Sequence, residues 1–363
     1  MSKAFLFPGQ GSQKEGMGKD LYENFPKARE IFEQANDILG ERFSDFLFSA
    51  TEDVLMDTRN TQMGIFLYEV AAALSQDDVK PDCTAGHSLG EYAALVVAGV
   101  ISFEEAVPFI KKRGEVFYEA FQKHPSAMGA IIGIPEEQVL DVIKRVGGED
   151  GESLYIANYN GPGQLVITGA RGTVKKACKV LKEMGAKRAL VLPQKGVGHS
   201  PNSAEEGAVL GEELKKLHFM TPHIPIYQDA DGLPHTDPQE ILENQIKLMT
   251  YPVQWTGITM NMVKNGVTEF YECGTDDTLQ KIVRRMTPES LVTSILHCAT
   301  YEGKVHDFSI VKELLVSDKK LSRVDRKGDK PFGKSPKICN FAFATTKISN
   351  LWAKVQISPD SRY

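Results

Sequence analysis

The residues best suited to chemistry lie at 86–90, where the chain reads Gly-His-Ser-Leu-Gly. Residues 81–85 lead into this motif as a short strand and an apolar helix follows from residue 91, so Ser88 falls on a strand-to-helix turn. Glycines on both sides let the two elements approach closely, which lifts the serine hydroxyl clear of the backbone. The N–H of Leu89 falls at a helix start, where it is suited to bind an oxyanion. The pattern predicts a nucleophilic serine.

A second glycine-containing motif, Phe-Pro-Gly-Gln-Gly-Ser-Gln, occupies residues 7–13 directly after a strand predicted at 4–7. Open α/β sheets bind ligands at the carboxyl ends of their strands, and two glycines there allow close backbone approach. The motif lacks the Gly-Lys-Ser/Thr ending of a phosphate loop. Taken alone, it fits a ligand-binding turn and an ordinary turn equally well.

The elements that position these motifs follow an α/β pattern. Apolar residues at helical spacing predict a helix at 21–39. Further helices are predicted at 61–75, which has few charges, and at 103–121. Between residues 127 and 194 the order becomes β-α-β-β-α-β, which is that of a split βαβ unit. After residue 203, longer helices alternate again with short strands, which predicts a mostly parallel sheet.

The composition is that of a globular protein. The chain has 363 residues, 42% hydrophobic and 25% charged. Its longest apolar run is about nine residues, against roughly 20 for a membrane span, and the first residues do not read as a signal peptide. The five cysteines show no close spacing, so we expect reduced thiols in a cytoplasmic protein, without a disulfide framework or a zinc site.

The charge is unevenly distributed. Residues 316–363 contain 8 Lys, 3 Arg and 4 Asp, a net +7, so the remainder carries −13 of the total −6. An acidic body argues against a nucleic-acid enzyme. The basic tail has few apolar anchors and is expected to be loosely held and solvated, with contact to an anionic partner as the alternative.

Together, the two motifs resemble the acyl-CoA:acyl-carrier-protein transacylases, above all the malonyl-transferring ones. The resemblance covers residues 1–312. Further matching segments occur in the family's order: residues 157–160, 162–164, 196–201 and 251–255.

The resemblance implies an α/β fold with two parts. A large α/β-hydrolase-like domain with a parallel sheet is expected from residues 1–126 and 195–315. A small ferredoxin-like subdomain is expected as an insertion at 127–194, in agreement with the β-α-β-β-α-β order. The tail at 316–363 lies beyond the family pattern and has no expected structure.

The resemblance also implies roles for individual residues. Ser88 is expected to accept the acyl group, with His199 as the general base and then the acid. A backbone carbonyl or an amide, instead of an aspartate, is expected to hold the imidazole. The main-chain N–H groups of Gln10 and Leu89 are expected to form the oxyanion hole.

Arg113 lies 25 residues after Ser88, where the family keeps the arginine that binds the malonyl carboxylate. A guanidinium pairs with a carboxylate through two parallel hydrogen bonds. The alternative for Arg113 is that it belongs, with Lys111 and Lys112, to a solvated basic face.

Several positions depart from the family pattern. Gly198 often corresponds to a bulkier Phe in malonyl-selective members, so a larger pocket that admits 2-substituted malonyl groups is expected. Leu248 stands where a Gln is common, Asp229 where an Asn is common, and residues 274–277 replace a Gly-Pro-Gly loop. These changes leave the acyl selectivity and the turnover rate open.

The leading hypothesis is a ping-pong transfer of malonyl from coenzyme A to the phosphopantetheine thiol of an acyl carrier protein, without metal or cofactor and by a monomer. Basic residues that are candidates for carrier docking are Lys187, Arg188, Lys195, Arg284 and Arg285. Two alternatives stay open. One is an acyl hydrolase that clears carrier proteins, and the other is a weakly active docking or scaffold component.

Overall fold

Two separate β-sheets organise the chain. The computed structural model describes residues 2–149, 153–193, 198–298, 300–301 and 304–305. The strands are β1 (Ser2–Phe7), β2 (Cys83–Gly86), β3 (Ser126–Ile132), β4 (Tyr155–Gly161), β5 (Gln164–Ala170), β6 (Arg188–Val191), β7 (Ile226–Tyr227), β8 (Pro234–His235), β9 (Val267–Glu272), β10 (Leu291–Ser294), β11 (Thr300–Tyr301) and β12 (Lys304–Val305). The helices are α1 (Lys19–Asn24), α2 (Pro26–Leu39), α3 (Phe43–Ser49), α4 (Glu52–Leu55), α5 (Thr58–Leu74), α6 (Gly90–Ala98), α7 (Phe103–Lys123), α8 (Glu136–Glu149), α9 (Arg171–Glu183), α10 (Ala204–Leu214), α11 (Pro238–Lys247), α12 (Trp255–Lys264) and α13 (Thr278–Met286).

The larger sheet has the strand order β10-β9-β1-β2-β7-β8, and its strands are parallel except for the β7–β8 pair. Its central strand β1 is buried on both faces. Phe5 and Phe7 pack into one hydrophobic cluster, with residues of α2, α5, α6 and α7, while Ala4 and Leu6 pack into another, with residues of α12 and α13. Because successive side chains of a strand point to opposite faces, the apolar run in β1 requires cover on both sides.

The smaller sheet is antiparallel, with the order β4-β5-β3-β6. Helices α8 and α9 form a third hydrophobic cluster with it. In β3, burial alternates along the strand. Ala127 and Ile131 pack into the helix-covered cluster, and the side chains between them point to the opposite face.

Helices α5 and α7 begin at defined side-chain caps. The Asp57 side chain accepts the N–H of Arg59 at the start of α5, and the Ser102 side chain accepts the N–H of Glu105 at the start of α7. Such caps satisfy amides that have no partner within the helix. They fix where each helix starts and therefore which side chains face the sheet edge.

The mixed α/β fold with a parallel sheet is confirmed, as is the β-α-β-β-α-β order, which runs β3-α8-β4-β5-α9-β6. Strand β7 is confined to Ile226–Tyr227, because the preceding Pro225 has no N–H for the ladder. Helices α3 and α4 and strands β8, β10, β11 and β12 were not predicted from the sequence. Among the described residues, no helix combines the length and apolar character needed to cross a bilayer. The predicted basic tail lies outside the described residues.

Candidate active site

Ser88 lies on the turn between the end of β2 and the start of α6, with φ 57°, in the left-handed region. Both flanking glycines are required by close contacts. A Cβ on Gly86 would lie 2.0 Å from the carbonyl carbon of Gly90, and a Cβ on Gly90 would lie 2.1 Å from the Phe7 oxygen. The strand, the turn and β1 therefore meet at a point where only glycine fits.

His199 faces this turn. Its Nε2 lies 2.6 Å from Ser88 Oγ, and its Nδ1 donates to the Leu248 carbonyl oxygen at 3.0 Å. Because Nδ1 carries the proton in that bond, Nε2 is left to accept the serine hydroxyl. The main-chain N–H of His199 donates to the Met249 carbonyl at 2.8 Å. A main-chain carbonyl thus orients the imidazole, as an aspartate does in other serine enzymes.

Ser88 and His199 also share a strained backbone. Among the described residues they are the two non-glycine positions with positive φ, 57° and 61°. Such conformations persist where the surroundings over-determine them, and they cluster at active sites. The serine and the imidazole that contact each other are thus also the two residues that the fold holds in unfavourable backbone conformations.

The electrostatic surroundings keep His199 neutral. Burial, the nearby Arg113 charge and His87 together lower the pKa of His199 to about 3. A neutral imidazole at neutral pH is the form that accepts a proton. His87, which precedes Ser88 in the turn, places its Nε2 2.8 Å from Asn160 Oδ1 and its ring beside Trp255.

Arg113 is buried in α7, 2% exposed. Its Nη1 donates to Gln62 Oε1 at 2.5 Å, its guanidinium lies 4.3 Å from the Phe117 ring centroid, and its Nε has no partner among the described residues. Burial lowers its pKa, but a guanidinium stays charged. Lys111, by contrast, pairs at the surface with Glu41, so the solvated-face interpretation does not fit Arg113.

A buried cation without a protein counter-ion favours an anionic ligand. No ion pair involves Arg113 within the described part of the chain. Leaving a buried charge unpaired is costly, and an anion that binds beside it recovers that cost. Gln62, which orients Arg113, was not identified from the sequence, although a glutamine within the apolar helix predicted at 61–75 was an available signal.

These groups share one cavity of about 310 Å³, which Ser88, His199 and Arg113 all line. The antiparallel sheet supplies part of its wall. The β3 side chains that point away from the helix-covered cluster line it: Met128, Ala130 and Ile132. The cavity therefore combines reacting groups from the edge of the parallel sheet with an apolar wall from the second sheet.

Gln10 and Leu89, the residues expected to supply the oxyanion-hole amides, line the same cavity. Gln10 is also linked to α5, since its Oε1 accepts a hydrogen bond from Thr58 Oγ1 at 3.3 Å. The 7–13 segment therefore lies beside the serine turn.

Gly198, expected to shape the pocket, lies next to His199 but is not among the described residues that line this cavity. A Cβ on Gly198 would lie 3.8 Å from the Phe117 ring, and Phe117 lines the cavity. Its φ of 126° disfavours any side chain. A larger residue here would act on the cavity through Phe117 and would need a different backbone.

The other departures from the family pattern also lie near the site. Leu248 contacts His199 through its main chain, so its side-chain identity does not decide that bond. Asp229 accepts the Ser88 N–H at 2.6 Å. The 274–277 loop packs on the 7–13 segment, because Thr275 Oγ1 donates to the Ser12 carbonyl. Across the described residues, no His, Cys, Asp or Glu cluster is grouped to hold a metal ion.

A serine–imidazole contact beside an unpaired buried arginine, at the edge of a parallel sheet, defines the class of serine-dependent enzymes that handle acyl groups. The chain belongs to the acyl transferase domain family, whose model matches residues 4–286.

Individual relatives are similar over most of their length. The chain is 37% identical over 289 residues to the malonyl CoA-acyl carrier protein transacylase of Bacillus subtilis, covering 79% of this chain and 91% of the relative. The solved acyl carrier protein S-malonyltransferase of Vibrio cholerae is 33% identical with a TM-score of 0.76, covering 81% of this chain and 96% of that one. A malonyl transacylase solved in complex with its type II polyketide synthase acyl carrier protein is 31% identical with a TM-score of 0.76, covering 83% and 96%.

Proposed function

We propose that this protein is a malonyl-CoA:acyl-carrier-protein S-acyltransferase, which moves malonyl from coenzyme A to the phosphopantetheine thiol of an acyl carrier protein. The observation that carries the proposal is the 2.6 Å contact between Ser88 Oγ and His199 Nε2, in one cavity with the buried Arg113. The names of the similar proteins support the same reaction.

The first half-reaction acylates the enzyme. Arg113 binds the malonyl carboxylate, and His199 Nε2 takes the hydroxyl proton as Ser88 Oγ attacks the thioester carbonyl carbon. The main-chain N–H groups of Gln10 and Leu89 stabilise the oxyanion of the tetrahedral intermediate. The carbon–sulfur bond then breaks, and the departing CoA sulfur takes the proton from the imidazolium.

The second half-reaction reverses these roles. The phosphopantetheine thiol gives its proton to His199, and its sulfur attacks the malonyl-Ser88 ester through the same oxyanion site. The ester bond breaks, and the imidazolium returns its proton to Ser88 Oγ. Every step uses protein groups alone, so we assign no metal or cofactor; coenzyme A and phosphopantetheine arrive with the substrate and the partner.

Two observations weigh against the alternatives. A hydrolase of simple acyl chains gains nothing from Arg113, whereas each charged hydrogen bond to a malonyl carboxylate contributes about 1.5–3 kcal/mol. A docking component without activity has no use for a serine held at φ 57° against an imidazole.

One labelling experiment separates the three functions. The protein is incubated with malonyl-CoA labelled in the malonyl group, with and without acyl carrier protein, and the products are separated. Label on the carrier protein supports the proposal, free malonate supports the hydrolase, and an unlabelled enzyme supports the scaffold. Ser88→Ala abolishes labelling under the proposal, while Ser75→Ala, on a serine that only caps α5 through the Ala71 carbonyl, retains it.

The carrier protein is proposed to dock beside the cavity, at Arg285. This side chain donates to Gln164 Oε1 at 3.2 Å, and Gln164 lines the cavity. Arg284 is less available, because it donates to the Val292 carbonyl at 2.6 Å. Lys187 and Arg188 remain candidates, and Lys195 lies outside the described residues.

Charge reversal tests this docking proposal. Arg285→Glu is expected to raise the KM for carrier protein and to leave the KM for malonyl-CoA unchanged. The matched control is Lys179→Glu in α9, on the face of the antiparallel sheet away from the cavity, where Lys179 is paired loosely with Glu183 at 4.0 Å. Equal KM values for the two variants would exclude Arg285.

We also propose a finer description of the fold and a cytoplasmic location for the protein. The four-stranded unit is interpreted as ferredoxin-like, supported by its strand order β4-β5-β3-β6, and inserted at 127–194 into an α/β-hydrolase-like domain of 1–126 and 195–315. Cys83, Cys178 and Cys273 form no disulfide, which supports a cytoplasmic enzyme.

A further inference from the structure

Two buried carboxyl groups lie directly behind Ser88, and the proposed reaction uses neither. Asp229, just after β7, accepts the Ser88 N–H on its Oδ2 at 2.6 Å. The main-chain N–H of Asp229 in turn donates to Glu91 Oε2, in the first turn of α6, at 2.9 Å. Both residues are at most 1% exposed. The turn that carries Ser88 is therefore hydrogen-bonded to Asp229, which is hydrogen-bonded in turn to Glu91.

The two acids differ in their hydrogen-bond partners. Glu91 accepts two donors, the Asp229 N–H on Oε2 and Gln228 Nε2 on Oε1, the latter at 2.9 Å. That is the environment of an ionised carboxylate. Asp229 accepts the Ser88 N–H on one oxygen, while its other oxygen, Oδ1, is buried without a partner among the described residues. Burying an ionised carboxylate with one oxygen lacking a hydrogen-bond partner costs free energy, so the neutral form of Asp229 is favoured.

We propose that Asp229 is a positioning residue that holds the Ser88 amide as a neutral carboxylic acid, and that loss of its proton suppresses acyl transfer at alkaline pH. This inference rests on the proposed function. A neutral acid keeps the Ser88 turn in place without adding charge. An ionised Asp229 would place a negative charge beside the oxyanion that forms on the thioester carbonyl, and would raise its energy.

The pKa directions agree with this assignment. Burial and the Glu91 charge raise the pKa of Asp229 well above its usual value, and burial raises the pKa of Glu91 to about 7. Two ionised acids this close would repel each other, so one of them holds a proton at neutral pH. The hydrogen bonds place that proton on Asp229, which loses it as the pH rises, so activity is expected to fall on the alkaline side. Other titratable groups around the pair are His87, Tyr92, Arg113, His199, Asp231 and His235.

The test is the pH dependence of single-turnover malonylation of Ser88 by malonyl-CoA, in which the carrier thiol does not take part. Asp229→Asn keeps an oxygen for the Ser88 N–H but has no proton to lose. Its alkaline limb is expected to move upward by about one pH unit or more, relative to the parent protein. A purely structural role would not move the limb.

The matched control is Glu69→Gln in α5. Glu69 is also fully buried with a raised pKa, and its carboxyl oxygens have no partners among the described residues, so it does not contact Ser88. The control is expected to keep the parental alkaline limb. The proposal would be overturned if the parent protein showed no alkaline limb. It would also be overturned if Asp229→Asn had the same alkaline limb as the parent protein.

Infrared spectroscopy of the unliganded full-length protein gives a readout that needs no activity. A neutral carboxyl C=O band at neutral pH is expected to be lost on raising the pH and to be missing in Asp229→Asn. Identical spectra for parent and variant would overturn the neutral acid. Failure of malonylation in the parent would instead overturn the proposed function, so the two failures are distinguishable.

Discussion

The central strands of the two sheets are buried in different ways. In β1, Phe5 and Phe7 enter one hydrophobic cluster and Ala4 and Leu6 enter another, so neither face is free. In β3, one face packs on α8 and α9, while the opposite face lines the cavity. The central strand of the parallel sheet is therefore packed on both faces, whereas that of the antiparallel sheet is packed on one face only.

This difference predicts that substitutions in the two sheets affect catalysis and acyl selectivity separately. The serine turn grows out of β2 and touches β1, so any change there disturbs backbone that is packed from both sides. Met128, Ala130 and Ile132, on the opposite face of β3, line the cavity. Changes in the first region are expected to remove activity, whereas changes in the second are expected to alter which acyl group fits.

The strongest test of close packing at the edge of the parallel sheet is Gly90→Ala. The added Cβ would lie 2.1 Å from the Phe7 carbonyl oxygen, so β1 and α6 must separate, with a cost of about 1–3 kcal/mol. We expect near-complete loss of Ser88 labelling and a lower free energy of unfolding in urea. Gly148→Ala, in α8 with nothing within 4 Å of its Cβ, is the control and is expected to be neutral or stabilising. Full labelling of Gly90→Ala would refute a rigid turn.

Arg113→Ala tests how much of the substrate binding comes from the large-sheet region. Loss of the charged hydrogen bonds that we propose between Arg113 and the malonyl carboxylate is expected to lower kcat/KM for malonyl-CoA by about 10- to 100-fold, with a relative gain for acetyl-CoA. The ratio of the two rates is the measurement. Lys111→Ala, two residues away and paired with Glu41 at the surface, serves as the control. A malonyl-to-acetyl ratio that does not change would exclude the carboxylate role.

Local sequence signals predicted the parts of the site that depend on local geometry. Ser88 was predicted because glycines at 86 and 90 mark a tight strand-to-helix turn. That motif also located β2, which has only four residues, whereas β10, at Leu291–Ser294, is equally short and has no such motif beside it.

Contacts between distant residues could not be predicted in the same way. The bond between Gln62 and Arg113 joins positions 51 apart, and the His199 bond to residue 248 is accepted by a main-chain carbonyl, which every residue has. Asp229 was noticed only as a departure from a family pattern. Its contact with Ser88 spans 141 positions and arises from the pairing of β2 with β7.

The pH dependence of acylation tests the electrostatics at the edge of the large sheet. His199 must be neutral to act as a base, so kcat/KM is expected to hold well below pH 6.5 and to fall only as the pH approaches its lowered pKa, about 3. When a malonyl carboxylate pairs with Arg113, the positive charge that lowers this pKa is partly neutralised. The acid limb of kcat is therefore expected at a higher pH than that of kcat/KM. Coincident limbs near the ordinary histidine value would contradict this arrangement.

The smallest expected effect comes from a pair of neighbouring positions in β3. Ala130 points into the cavity and Ile131 points into the helix-covered cluster. Ala130→Val should reduce acylation by 2-substituted malonyl-CoA several-fold more than acylation by malonyl-CoA, with the free energy of unfolding nearly unchanged, because the added methyl groups take ligand space. Ile131→Val should have the reverse outcome, a loss of about 0.5–1.5 kcal/mol of stability with unchanged selectivity. Equal effects of the two substitutions on selectivity would mean that the faces of β3 are not independent, and that the second sheet is as fixed as the first.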